Sequence, residues 1–169
     1  MSKNERKIVL IIHNVRSAHN AGSLFRTADG LGVEQVILSG YTPYPGVKDD
    51  DRLPHIAQKI ERRIHKTALG AEATVKWKHV DDIATELKSL ETHGYAVAAL
   101  EQSPTAIPLN DYQPPAKIAL LVGNEVTGVE PELLNLIDTH LQIPMLGQKE
   151  SFNVAAAGAM ALYHLRFIS

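Results

Sequence analysis

Apolar residues fall into two alternating patterns along the chain. Continuous aliphatic runs of strand length appear at Lys7 to Ile12 (KIVLII), Val33 to Leu38 (VEQVIL), Tyr95 to Leu100 (YAVAAL) and Lys117 to Val122 (KIALLV). Runs without alternation belong to strands buried on both faces, the signature of a parallel sheet. Between them apolar residues recur at helical spacing. Leu24, Ala28 and Leu31 follow Asn20 as N-cap and stop at Gly30 and Gly32; Ile83, Leu87 and Leu90 follow Asp81 or Asp82 and stop at Gly94. The pattern further predicts a basic, partly helical segment from His55 to Leu69, a short strand from Ala73 to Trp77 and a helix from about Glu130 to Ile137 with Pro131 in its first turn. It closes with a strand end at Leu141 to Ile143 and a small-residue helix ending at Leu165, capped by Ser151 or Asn153. Ser39 to Pro54 and Gln102 to Pro115 read as loops. Strands alternating with helices give an α/β fold with a largely parallel sheet flanked by helices, and the first βαβ unit predicts a right-handed crossover.

Composition narrows the class. The chain has 169 residues, 44% apolar and 21% charged, as expected of one globular domain spanning 1–169. It has no cysteine, which excludes disulfides, thiolate catalysis and sulfur-ligated metal. No apolar run reaches the roughly 20 residues of a membrane helix, and no signal-peptide pattern follows the N-terminus, so the expectation is a cytoplasmic protein without a membrane partner. Aromatics make up only 5%, so platforms for stacking a base are few. The net charge of −2 excludes a uniformly basic coat. Its distribution is uneven: Arg52 to Val80 holds seven Lys and Arg against Glu61 and Glu72, whereas Asp81 to Gly147 holds ten acids against Lys88 and Lys117. The basic segment, with Arg62, Arg63 and Lys66, is the candidate for meeting phosphates.

Three polar loops follow predicted parallel strands, at the sheet edge where open α/β folds bind ligands. The first, His13 to Arg26, carries Asn14, Arg16, Asn20 and Arg26; planar guanidinium forks suit phosphate. The second, Gly123 to Gly128, carries Glu125. The third, Pro144 to Asn153, opens the last helix, where unpaired backbone N–H groups and the following Ala/Gly run (Ala155 to Ala159) allow close approach. Gly158 costs roughly 1 kcal/mol against Ala inside a helix, so close packing is its reason. The dinucleotide fingerprint, the P-loop, the nucleophile elbow and zinc-type histidine spacing are all absent from the sequence. An ordinary nucleotide-binding enzyme would need a phosphate-cradling glycine loop after the first strand.

At these loops the sequence resembles the SpoU/TrmH family of SPOUT RNA methyltransferases. The matching stretches are N-V-R-S-A-H-N-A-G-S-L-F-R-T-A (Asn14 to Ala28), L-V-G-N-E-V-T-G-V (Leu121 to Val129) and I-P-M-L-G-Q-K-E-S-F-N-V (Ile143 to Val154), with K-T-A-L-G-A-E (Lys66 to Glu72) also familial. The resemblance implies a trefoil knot over roughly 117–169 and a homodimer with its active site at the subunit interface. It also implies S-adenosylmethionine as cofactor, no metal, and 2′-O-methylation of ribose in tRNA or rRNA. Leu100, Gly123, Ile143, Met145, Ser151 and Phe152 would line the cofactor pocket. Glu125, Ser151 and Asn153 would be polar catalytic residues beside it, with Asn20 and Arg26 facing the RNA and Arg26 in the position assigned to catalysis. Asn14, Arg16, Arg62, Arg63 and Lys66 would grip RNA, since no N-terminal RNA-binding extension of the kind many relatives carry is evident. Relatives commonly read S-L-N-V-S where this chain has S-F-N-V-A, so Ala155 lacks a hydroxyl. The alternative is a non-catalytic RNA-binding or assembly factor that kept the fold.

Overall fold

The computed structural model describes residues 6–168. Seven strands form one sheet, all parallel, in the order β3-β2-β1-β6-β4-β7-β5. They are β1 (Lys7–His13), β2 (Gln35–Ser39), β3 (Trp77–Val80), β4 (Ala96–Leu100), β5 (Ile107–Pro108), β6 (Lys117–Val122) and β7 (Thr139–Gln142). The helices are α1 (Ala18–Gly30), α2 (Pro54–Ala68), α3 (Ala71–Thr74), α4 (Ile83–Thr92), α5 (Pro131–Leu134) and α6 (Val154–Phe167).

The aliphatic runs take the centre of the sheet because both faces are covered. Alternate residues of β1 enter different cores: Ile8, Leu10 and Ile12 pack with Leu24, Phe25, Ile64 and Leu162 on one side. Val9 and Ile11 pack with Leu87, Leu90 and Leu133 on the other. The first layer holds α1, α2, α3 and α6, and the second holds α4 and α5. Gly158 on α6 meets Leu24 of α1 closely; a Cβ there would stand 2.6 Å from Leu24 Cδ2. The close approach expected of the Ala/Gly run is therefore to α1.

Several boundaries differ from the sequence pattern. Ser17, not Asn20, caps α1: its side chain accepts from the Asn20 N–H, and Asn20 lies within the first turn. The third strand is displaced to Trp77–Val80, and residues 71–74 close a helical turn instead, because Trp77 places its ring against Phe25 and its indole N–H on the Glu72 carbonyl. The helix from Pro131 ends at Leu134, shortened by the strand that follows. α2 is helical throughout, with Pro54 at its start. Ile107 and Pro108 add an edge strand inside the segment read as loop, where a proline costs no inward-facing donor.

A parallel sheet places all its carboxyl ends on one edge. The three polar loops follow β1, β6 and β7, so all three meet there.

Candidate active site

The β1–α1 turn is built from Asn14, Arg16 and Ser17. Asn14 adopts a left-handed backbone (φ 53), a conformation Asn tolerates better than most side chains. It is buried, and its amide is engaged inside the protein: Nδ2 donates to Glu130 Oε1, and Oδ1 accepts from the Tyr41 N–H at 3.1 Å. Its place is thus beneath the loop rather than on an open RNA-facing surface. Arg16 is exposed.

Glu125, from the β6 loop, reaches the open start of α1. Its carboxylate accepts from the backbone N–H of Arg16 (3.0 Å), that of Ser17 (3.2 Å) and the Asn20 amide (2.9 Å). A negative group is favoured at a helix N-terminus, where N–H groups lack helical partners. Asn20 in turn accepts at Oδ1 from Asn153 Nδ2 at 3.2 Å. Asn153 caps α6, its Oδ1 accepting from the N–H groups of Ala155 (3.0 Å) and Ala156 (3.3 Å). One chain of hydrogen bonds, Asn153–Asn20–Glu125, therefore joins all three loops.

Beside this chain a cleft of about 160 Å³ opens at the carboxyl ends of β4, β6 and β7. Leu100, Gly123, Ile143, Met145, Ser151 and Phe152 all line it, together with Glu125. Glu101, Gln102 and Asn124 line it too and were not singled out by sequence; Glu101 directly follows Leu100 and Asn124 lies between Gly123 and Glu125, whereas no sequence signal marks Gln102. Glu101 ties down the loop opposite, accepting from the Val129 N–H at 2.9 Å. Asn124 shapes its own loop by accepting from the N–H groups of Val126 (2.8 Å) and Thr127 (2.9 Å).

Arg26 lies elsewhere. Six residues beyond Asn20, it faces the α2 side of α1 and borders a separate depression with Ala68, Leu69 and Gly70. Of the basic segment, Lys59, Arg62, Arg63 and Lys66 are exposed on α2 at i, i+3, i+4 and i+7, which places them on one face. Arg52 is drawn into its own loop, bonded to Asp50 at 2.5 Å and to the carbonyls of Tyr44 and Pro45, and Lys78 pairs with Glu86 at 2.8 Å. Those two cations are occupied.

Glu125 is held as an anion. Burial by itself raises Glu125, but the Arg16 N–H and the Asn20 amide outweigh it and leave its pKa below the ordinary carboxylate value. His13 is shifted down by burial, against the opposing pull of Glu130. Its ring bridges Ser39 Oγ (2.8 Å, at Nδ1) and Glu130 Oε2 (3.1 Å, at Nε2), fastening β1 to the segment before α5. Among the described residues there is no cluster of three or more His, Cys, Asp or Glu suited to a metal, and no helix long and apolar enough to cross a membrane.

A sequence model of the SpoU rRNA methylase family matches residues 51–163, which include the second and third loops and their strands. The chain belongs to the SpoU rRNA methylase family. Among curated members it is 32% identical to the 23S rRNA (guanosine(2553)-2′-O)-methyltransferase of Bacillus subtilis over 94% of its own length. It spans 57% of that relative, and 60% and 64% of the next two. Among solved structures, one concerned with 2-OH methylation of C/U34 on tRNA superposes with a TM-score of 0.75 at 25% identity, covering 95% of both chains. An AdoMet-bound rRNA methyltransferase from Sinorhizobium meliloti superposes with a TM-score of 0.78 at 22% identity, covering 100% of this chain and 60% of that one, a likeness of fold. The SpoU-type fold and the alternation of strands and helices expected from the sequence agree.

Proposed function

We propose that this SpoU-family chain is an S-adenosylmethionine-dependent RNA methyltransferase that methylates a ribose 2′-hydroxyl in tRNA or rRNA. The observation that carries the reading is the convergence of three loops on one cleft through the Asn153–Asn20–Glu125 chain. The 2′-O-methylation named for the curated relative and for the solved tRNA structure supports the reaction class.

The residues fit the cofactor. Leu100, Ile143, Met145 and Phe152 offer apolar walls for an adenine, and Glu101, Gln102 and Ser151 stand around them for sugar hydroxyls and the amino-acid end. S-adenosylmethionine supplies the methyl group, as a sulfonium. The protein's work is then to align the acceptor hydroxyl, exclude water and stabilise the oxygen as it loses its proton. Asn20, fixed on both sides by Glu125 and Asn153, keeps the α1 end of the site rigid. Arg26 binds the acceptor phosphate and stabilises the developing ribose oxyanion; an arginine in a protein stays charged and is a poor base. Arg16 and the Lys59–Arg62–Arg63–Lys66 face of α2 hold the RNA backbone.

The site is completed in a homodimer. Arg26 stands outside the cleft of its own chain, as expected of a site that spans a subunit interface. α6 exposes Met160, Tyr163 and Phe167 on one face, which a second copy would cover. The trefoil knot over 117–169 belongs to the same reading, supported by the family and by β6 lying between β1 and β4 with α6 returning to α1. Ribose-methylation mapping of total RNA from a strain lacking the protein tests the function: one or more 2′-O-methyl sites should vanish. A full set of sites would overturn it.

A further inference from the structure

We propose that Tyr41 is a base-stacking residue that seats one unpaired nucleobase of the RNA beside the β1–α1 turn. The inference rests on the methyltransferase reading above and adds to it a residue that touches the substrate base rather than its backbone.

Tyr41 stands two residues beyond β2, on the same sheet edge as the cleft, and it is 58% exposed. Exposed aromatic rings are scarce in this chain, and the others have places of their own. Phe152 lines the cleft, and Tyr163 and Phe167 pack against each other on α6. Among the described residues, Tyr41 alone offers an open ring next to the Arg/Asn loop.

The ring is exposed, yet it is held at both its backbone N–H and its hydroxyl. Its backbone N–H donates to Asn14 Oδ1 at 3.1 Å, and its hydroxyl oxygen accepts from Asn124 Nδ2 at 2.8 Å. Gly40 before it has φ +62, and a Cβ there would stand 1.9 Å from Asn14 Oδ1, so only glycine lets the turn close on Asn14. Thr42 after it is buried, its hydroxyl donating to the Ile12 carbonyl (2.9 Å) and accepting from the Val15 N–H (3.2 Å). The Tyr41 turn is thereby tied to the residue preceding Arg16. A ring held in this way stacks a base without first losing side-chain freedom. Because Asn124 donates to it, the phenol keeps its own proton to offer. Asn124 also shapes the loop that lines the cleft, so the base seat and the cofactor loop share one amide.

The chemistry fits an unpaired RNA base. Sequence-tolerant stacking on an aromatic face beside guanidinium groups is the usual way single-stranded RNA is held, and the exposed Arg16 supplies the charge.

The test uses the full chain and its Tyr41→Ala, Tyr41→Phe and Tyr41→Trp variants. RNA affinity is read by anisotropy with a fluorescein-labelled 12-mer oligoadenylate and with bulk tRNA from a strain lacking the protein. S-adenosylmethionine binding is read by calorimetry and oligomeric state by sedimentation. Tyr41→Ala should weaken RNA binding roughly tenfold. It should raise the KM for RNA by a similar factor with kcat held, while Phe and Trp recover most of the affinity. Wild-type affinity in Tyr41→Ala overturns the proposal. So does an equal loss in Phe and Ala, which makes the Asn124 bond the cause, and so does a change in oligomeric state, which makes the ring a subunit contact. Tyr41-dependent RNA binding without any methyl transfer would instead overturn the methyltransferase reading and leave the stacking role standing. If the wild-type chain binds neither RNA, both fall.

Discussion

Arg26 and His13 are both polar residues of the first loop region, and the structure gives them opposite characters. Arg26 is exposed and borders a depression away from the cleft, where a fork can meet a phosphate. Arg26→Lys keeps the charge and loses the bidentate geometry, so kcat should fall about 100-fold with little change in thermal stability. Single-turnover kinetics with the substrate RNA from a strain lacking the protein, still unmethylated at the target ribose, decides this, and turnover near wild type would remove the need for a guanidinium. His13 is buried and its pKa lies below 6.5 through burial, with Glu130 opposing. A depressed pKa means that the folded state binds fewer protons than the unfolded one near that pH. The stability is therefore fully present above about 6.5 and is lost as pH falls through the lowered value. Melting temperature should hold steady above pH 7 and drop below 6.5, and His13→Gln should flatten that slope. The residue types of the site were legible in the sequence; their partners were not. The family resemblance implies an RNA contact for Asn14, but its amide is committed to Glu130 and Tyr41, contacts between residues as much as 116 positions apart.

Among the elements, the central strands were legible because burial on both faces leaves a continuous aliphatic run. α3 and β3 were not, because a short segment between them is settled by where Trp77 packs. The helix contacts are likewise set by neighbours. Gly22 of α1 abuts α2 so closely that a Cβ would stand 2.2 Å from Thr67 Oγ1 and 2.3 Å from the Ile64 carbonyl. The carbonyl belongs to a helix backbone and cannot step aside. Gly158 meets the flexible end of Leu24 at 2.6 Å. Gly22→Ala should therefore destabilise by about 1–3 kcal/mol, through overpacking. Gly158→Ala should cost less, since Leu24 can change rotamer and alanine regains helix propensity. Urea denaturation of the two variants measures the difference, and equal midpoints would contradict this packing.

At the scale of the whole molecule, the apolar face of α6 is a helical surface that the single chain leaves partly uncovered. Met160, Tyr163 and Phe167 are all more than a third exposed, and Tyr163 and Phe167 lie 4.9 Å apart, ring to ring. A charge there should not disturb the core but should oppose association. Tyr163→Glu should sediment as a monomer and lose RNA methylation while staying folded by circular dichroism. A dimeric Tyr163→Glu would place the interface elsewhere.

The resemblance of its motifs to the SpoU/TrmH family pointed to the six residues that line the cleft, while the sequence pattern by itself determined the α/β class, the central strands and the three polar loops. The class, the strands and the loops follow from local patterns: burial on both faces and turn chemistry at strand ends. Tertiary structure alone decided that Ser17 caps α1, that Glu125 fills the start of that helix, and that Asn20 joins Glu125 to Asn153. It also set Arg26 apart from the cleft and narrowed the basic segment to one face of α2. These are contacts across more than a hundred residues or choices among equivalent polar side chains. Only the packing of the sheet and its helices brings such partners within hydrogen-bond reach.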